Sequence, residues 1–287
     1  MDDRSPRTHF YHAEASATGG RIDRPVEQIV PVQAPLSLPS VGGYATARSE
    51  DFRFQGILSF QAAQTQVAGS KNERNGGFTT TVSAAVENLN VLNVVTADRV
   101  VAQISTEHPS EGYTPKVSFV GTQFVNLRIG GCRIEPVLDL DFCDQGSESE
   151  YPKRPCMQNP AFLKKVGEQQ QNMRSEQAGT AGPRWGRYVD WLERRYPLPQ
   201  SGPNPGEALV NERGMVLCSL VQKIKGDCPW KSFGHVIVIP EFGKVILGEL
   251  LLDDNSFRLI MVRLELGCPV GGGVDVCDAG INGSSYP

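Results

Sequence analysis

The chain has 287 residues, enough for one or two domains with a buried core and no need of covalent staples. Hydrophobic residues make up 39% and charged residues 21%, with a formal charge of −4, which excludes a disordered chain, a coiled coil and a collagen-like rod. A mildly acidic chain without a basic block also argues against nucleic acid as a partner.

Residues 1–42 carry Pro25, Pro31, Pro35 and Pro39 among Val26, Ile29, Val30, Val32, Leu36 and Leu38. Proline contributes no ladder donor, so the expectation is an extended apolar arm at an edge or against a second subunit. The chain opens without an apolar h-region, so no secretory signal is expected. No apolar run reaches the roughly 18 residues of a spanning helix.

Residues 43–143 read as the first half of a β domain. Phe52, Phe54, Leu58, Phe60 and Ala62 share one parity, the period of a half-buried strand. Asn75-Gly76-Gly77 then supplies a turn, and Phe78, Thr80, Val82, Ala84 and Val86 resume the alternation, which predicts a hairpin. LNVLNVVTADRVVAQIST (89–106) fits one or two buried strands, and Gly130-Gly131 between two alternating runs predicts another hairpin.

Residues 144–210 change character. Asn159-Pro160 offers an N-cap followed by proline at the first helical position. Trp185, Tyr188, Val189, Leu192 and Tyr196 recur at helical spacing up to Pro197, so this stretch is expected as an inserted α-helical hairpin. Residues 211–287 return to β: HVIVI, KVILGELLL and FRLIMVRLEL, separated by short turns, predict an antiparallel meander followed by a Gly-rich tail. The predicted fold is mainly β, an antiparallel sandwich or barrel-like core with the helical insertion and the N-terminal arm.

Four features are candidates for chemistry or binding. Glu135, Asp139 and Asp141 share parity, with Asp144 beyond. They make either a Ca2+ edge site, since hard cations take several oxygens, or a solvated face opposite Ile134, Leu140 and Phe142. Trp185, Tyr188, Trp191 and Tyr196 either dock their helix on its own sheet or form a binding or subunit contact; Trp191 lies off the stripe and points to the latter. Seven cysteines include two close pairs, Cys218 with Cys228 and Cys268 with Cys277, as disulfides or as reduced buried thiols. Of the histidines, His12 shares an extended face with Glu14 while His9 lies on the other, and His108 and His235 have no nucleophile or orienting acid at a telling spacing. G-x-S-x-G, P-loop and H-E-x-x-H patterns do not occur, so no catalytic residue and no nucleotide cofactor is nominated.

NLNVLNVVTADRVVAQIST followed by SFVGTQFVNLRIGG, and later HVIVIPEFGKVILGE with SFRLIMVRLEL, resemble strand-and-turn blocks of the bacterial choice-of-anchor β-rich proteins. The resemblance covers about 100 residues in two blocks of strand and turn pattern. It implies a β fold and an extracellular or cell-surface location, and it carries no catalytic residues over. Together these readings lead to a non-enzymatic structural or self-assembling protein, a homo-oligomer built through arm, insertion and strand edges. The alternative is a ligand-binding β module, with carbohydrate as the partner.

Overall fold

The computed structural model describes residues 8–74, 76–109, 114–143, 156–178, 183–196, 209–210, 214–253, 256–267 and 269–286, with side chains on the two helices given for 160–176 and 188–195. The chain opens with β1 (Thr8–Phe10), β2 (Ala13–Arg24), β3 (Gln28–Gln33) and β4 (Leu36–Ser37). Four long strands follow: β5 (Gly43–Phe54), β6 (Leu58–Lys71), β7 (Phe78–Val91) and β8 (Val95–His108). Shorter β9 (Lys116–Ser118), β10 (Gln123–Val125), β11 (Arg128–Ile129) and β12 (Cys132–Arg133) complete an eight-stranded antiparallel sheet in the order β12-β11-β8-β7-β6-β5, with β9 and β10 also on β8.

After β13 (Glu135–Leu138) come the helices, α1 (Pro160–Ala178) and α2 (Pro183–Arg195). The second sheet is built from β14 (Val216–Ser219), β16 (Lys231–Phe233), β17 (Val236–Ile239), β18 (Gly243–Leu252), β19 (Phe257–Leu266) and β20 (Gly271–Ile281). Its order is β16-β17-β18-β19-β20-β2-β3, with β14 on β18 and β4 on β2. Two small ladders remain, β13 with β15 (Val221–Lys225) and β1 with β21 (Ser284–Tyr286). The predicted meander is β17-β18-β19, antiparallel throughout. The fold is sandwich-like rather than a closed barrel: β2, β19 and β20 of one sheet pack on β6, β7 and β8 of the other.

Alternation explains the core. Val82, Ala84 and Val86 of β7 and Val100, Ala102 and Ile104 of β8 are buried, and they meet Ala13, Ala15 and Ala17 of β2 and Val274, Val276 and Ala279 of β20. Small side chains on β2 let the sheets close on one another. The Cys277 thiol crosses between them, 3.2 Å from the Val100 carbonyl oxygen.

Two expectations are corrected here. The stretch 52–62 is a hairpin, not one strand: Gln55 and Gly56 both take positive φ, 48° and 69°, and Phe52 lies opposite Phe60 with ring centroids 5.2 Å apart. The parity carries across the turn, which hides it from a periodicity reading. The described part of the expected arm 1–42, residues 8–42, is also not an arm. β2 lies inside the second sheet, paired with β20 on one side and with β3 and the short β4 on the other, so β3 and β4 stand at the edge. Its Ala- and Gly-rich sequence, AEASATGGRIDR, has too little hydrophobic contrast to announce a central strand.

The N-cap prediction holds. Asn159 Oδ1 accepts from the backbone N–H groups of Ala161 (2.8 Å) and Phe162 (3.3 Å), ahead of Pro160 in the first helical position. Phe162, Val166, Gln170 and Met173 then give α1 one buried face. That face covers the outer edge of β14. Gln169 acts as a surrogate strand residue: its Nε2 donates to the Ser219 carbonyl (2.9 Å) and its Oε1 accepts from the Ser219 N–H (2.8 Å). Gln169→Leu should therefore strand a backbone donor and acceptor and cost about 1–3 kcal/mol in urea unfolding. An unchanged midpoint would show that the edge needs no cover.

Candidate functional site

The densest polar arrangement in the fold lies where α2 meets the second sheet. It is built around Glu249, which sits mid-strand between Val245–Leu247 and Leu250–Leu252 of β18 and is 0% exposed. Burying a lone carboxylate is costly, so it needs cationic partners with hydrogen bonds. Arg195, at the end of α2, supplies a fork: Nε to Oε1 at 2.9 Å and Nη2 to Oε2 at 2.8 Å. Arg263 on β19 approaches from the other side, Nη1 to Oε2 at 3.1 Å, and is itself held by Asp275, Nε to Oδ1 at 3.1 Å. Burial alone would push Glu249 up, but Arg195 and Arg263 hold its carboxyl below the usual value.

Tyr196 and His235 extend the cluster. Tyr196 donates its hydroxyl proton to Glu249 Oε1 at 2.9 Å, so its oxygen is left to accept from His235 Nε2 at 3.0 Å. His235 is thus the neutral Nε2–H tautomer, and among the described residues its Nδ1 has no hydrogen-bond partner. Burial lowers its pKa to about 4; Glu249 opposes this and Arg195 adds to it. Burial also pushes the Tyr196 hydroxyl well up, as does Glu249. At the rim, Lys244 pairs with Glu265 at 2.7 Å and lies over the Trp191 ring, 4.3 Å from its centroid. On the α1 side, Arg174 donates to the Tyr196 carbonyl (3.0 Å) and pairs with Glu193 (3.3 Å).

A histidine, a tyrosine and a carboxylate in line have the elements of a proton relay. The side chains of His235 and Glu249 are both 0% exposed, however, so no substrate atom can touch either. Chemically the cluster is a clasp: it fixes the end of α2 by charge on a small apolar core of Met173, Leu192, Leu217, Phe233, Val236 and Ile246.

Three of the four predicted contact aromatics pack at this clasp. Tyr196 is 2% exposed and fully engaged, Tyr188 and Trp191 pack half-buried against the same core, and the Trp185 side chain lies outside the described residues. The helix docks on its own sheet, and Tyr196 has no surface left to offer a partner.

The acidic residues do not come together. A register shift between Val137 and Leu138 breaks their parity, and the strand ends at Leu138, before Asp139. Glu135 lies opposite Lys225, while Asp139 turns to Gln222 (3.0 Å) and Lys165 (3.7 Å). Asp141 is exposed, and Asp144 lies outside the described residues. Among the described residues no three His, Cys, Asp or Glu side chains converge on a metal position.

The cysteines pair differently from their spacing. Cys218 is a free buried thiol near Cys156, whose neighbour is Cys143, and Cys228 lies beside Cys132. Cys277 is a free thiol between the sheets, and Cys268 lies outside the described residues.

His9 and His108 meet, which nothing in their spacing suggests. β1 brings His9 onto the end of β8, where it stacks on Phe78 (4.7 Å between centroids) and lies 4.6 Å from His108. His9 Nδ1 bonds Ser285 Oγ at 2.8 Å, so the pair fastens both chain ends to the first sheet. Burial, then His108, lower the His9 pKa to about 4. His12 and Glu14 are exposed.

One surface feature stands apart. The outer edge of β3 has no strand beside it among the described residues, and its sequence QIVPVQ carries no charge. Ile29 is 75% exposed, Val32 52% and the adjoining Val26 62%.

The fold and the clasp define a two-sheet antiparallel β protein with a helical pair fixed to one sheet. The chain belongs to the family described as Domain of unknown function (DUF8256), which matches residues 9–253 and so takes in the clasp up to β18. No curated protein and no solved structure matches the chain. Among the described residues no helix is long and apolar enough to cross a membrane.

Proposed function

We propose that this is a non-catalytic structural protein that assembles with copies of itself through the β3 edge. The observation that carries this reading is the uncharged, unpaired edge strand with Ile29, Val32 and neighbouring Val26 turned to solvent. Natural sheets usually blunt such edges with lysine, a bulge or a covering helix, as α1 covers β14 here. At β3 the edge is interrupted by Pro31 and by the register shift opposite Thr18–Gly20, and it carries no lysine. A second copy is the fitting occupant, because two identical edges related by a two-fold axis can pair antiparallel and bury both apolar rows. The engaged polar cluster, whose Glu249 and His235 are 0% exposed, supports the non-catalytic part of the reading.

The carbohydrate alternative finds less support. The Trp191 face, on which a sugar ring could stack, faces Lys244. The surface groove lined by Glu14, Ser16, Ser37, Arg258 and Asp278 holds no aromatic ring, and its Arg258 and Asp278 are paired with each other.

Light scattering over a range of concentrations tests assembly. The expected result is a multimer of the 31.3 kDa chain that shifts toward monomer in the double variant Ile29→Lys, Val32→Lys. Both positions are exposed, so the variant should keep its fold, as circular dichroism would verify. A wild-type monomer at every concentration, or a variant that assembles unchanged, overturns the proposal.

A further inference from the structure

We infer that Cys132 and Cys228 form a redox pair, bridged by thiol–disulfide exchange with a low-molecular-weight disulfide, which staples the hairpin end of the first sheet to the segment that follows β15. The argument starts from register. β13 and β15 pair Glu135 with Lys225, Pro136 with Ile224 and Val137 with Lys223. Continued outward one residue at a time, that antiparallel register sets Cys132 opposite Cys228.

The chain holds to this course beyond the ladder. The Cβ position of Gly226 lies 2.8 Å from the Arg133 carbonyl and 3.3 Å from the Ile134 Cα, so the two backbones run side by side. Further out, Trp230 covers Gly130, whose added Cβ would lie 2.5 Å from the indole, and Trp230 Nε1 donates to the Ile129 carbonyl at 3.2 Å. Gly130 takes φ 55° in the hairpin turn. Contacts on both sides of the two cysteines thus hold them face to face, with their thiols close enough to influence each other. Directly opposed residues of adjacent strands fall in the Cα separation a disulfide requires.

Accessibility separates this pair from the other thiols. Cys132 and Cys228 are half-buried, whereas Cys143, Cys156, Cys218 and Cys277 are buried. Among the described cysteines a dissolved disulfide can reach only the first two without opening the core. Burial, with Cys132 next, holds the Cys228 thiol up at about 11, so exchange is slow at neutral pH and quickens as pH rises.

The chemistry balances with glutathione disulfide as the oxidant. One cysteine thiolate attacks a glutathione sulfur, forming a mixed disulfide and releasing one glutathione thiolate. The second cysteine then attacks the protein sulfur of that mixed disulfide and releases the other. Two electrons pass from the protein to the reagent, and the two thiol protons end on two molecules of reduced glutathione. The closed loop spans about 100 residues, including both helices, a length at which a cross-link strongly constrains the unfolded chain.

The test equilibrates the full chain in reduced and oxidised glutathione at pH 8.5, blocks free thiols by alkylation, and maps linked peptides by mass spectrometry. The expected result is a Cys132–Cys228 peptide as the main cross-link, with a rise in Tm of about 10 °C over the reduced protein. Reduced wild type is its own folding control, and Cys228→Ser should lose both signals. A dominant link between any other pair, stable glutathionylation without a bridge, or a bridge that leaves Tm unchanged overturns the proposal.

Discussion

Glu249→Ala should cost the folded state about 3–5 kcal/mol, because it leaves the Arg195 and Arg263 guanidinium groups facing each other without their shared carboxylate. Glu249→Gln should do nearly as badly. The amide fills the same space, but it cannot balance two cations and can accept only through one oxygen. The loss should concentrate at the helices, since Arg195 and Tyr196 are the residues that tie the end of α2 to β18. Two measurements check this: denaturant unfolding for the total, and limited proteolysis for earlier cleavage within the helical insertion. A triple replacement of Glu249, Arg195 and Arg263 by apolar residues of similar volume should recover much of the loss, because the cost is the stranded charge rather than the absent pair. A Glu249→Ala protein within 1 kcal/mol (about a fivefold change in folding equilibrium) of wild type would show that the clasp does not hold the helix.

The second large effect is acid lability. His235 is neutral in the fold with a pKa near 4, and in the unfolded chain it regains a value near 6.5. Between those two values the unfolded chain binds the extra proton and the folded one does not. Stability contributed by neutral His235 is therefore fully present above about pH 6.5, falls as pH drops through the window, and levels off below about pH 4. The difference corresponds to about 3 kcal/mol from this residue. His9, also lowered to about 4, acts in the same direction, and so does His108. Urea unfolding of wild type at pH 7 and pH 4.5 should show the drop, and His235→Gln should be less stable at pH 7 but markedly less sensitive to pH. Equal pH dependence in the two proteins would place the acid lability elsewhere.

Placing charge on the uncharged β3 edge should break assembly, and the opposite outcome would be informative. If Ile29→Lys, Val32→Lys left assembly intact, the exposed row would be only a tolerated feature of the surface. The clasp, which joins α2 to β18 and β19, would be unaffected.

Much of the local architecture was legible along the chain. Alternation marked β7, the Gly130-Gly131 turn marked the β11–β12 hairpin, and Asn159-Pro160 marked the start of α1 to the residue. These signals are local: a turn needs particular φ values, a cap needs a side-chain acceptor, and a half-buried strand needs a period of two. The clasp left one signal that could have been read, charges at Glu249 and Arg263 in the middle of mostly apolar strands. A buried charge implies a partner.

What that partner is, only the folded chain decides. Arg195 reaches Glu249 across 54 residues, and His9 reaches His108 because β1 is carried to the end of β8. The central place of β2 and the approach of Cys132 to Cys228 were equally hidden. Periodicity reports which face of a strand is buried, not which strand lies beside it, and an Ala- and Gly-rich strand hardly reports even that. Residue by residue, the amino-acid pattern specified the elements; the pairing of sheets, the burial of Glu249 and the open edge of β3 came from long-range packing, where burial and charge balance are settled between segments far apart in the chain.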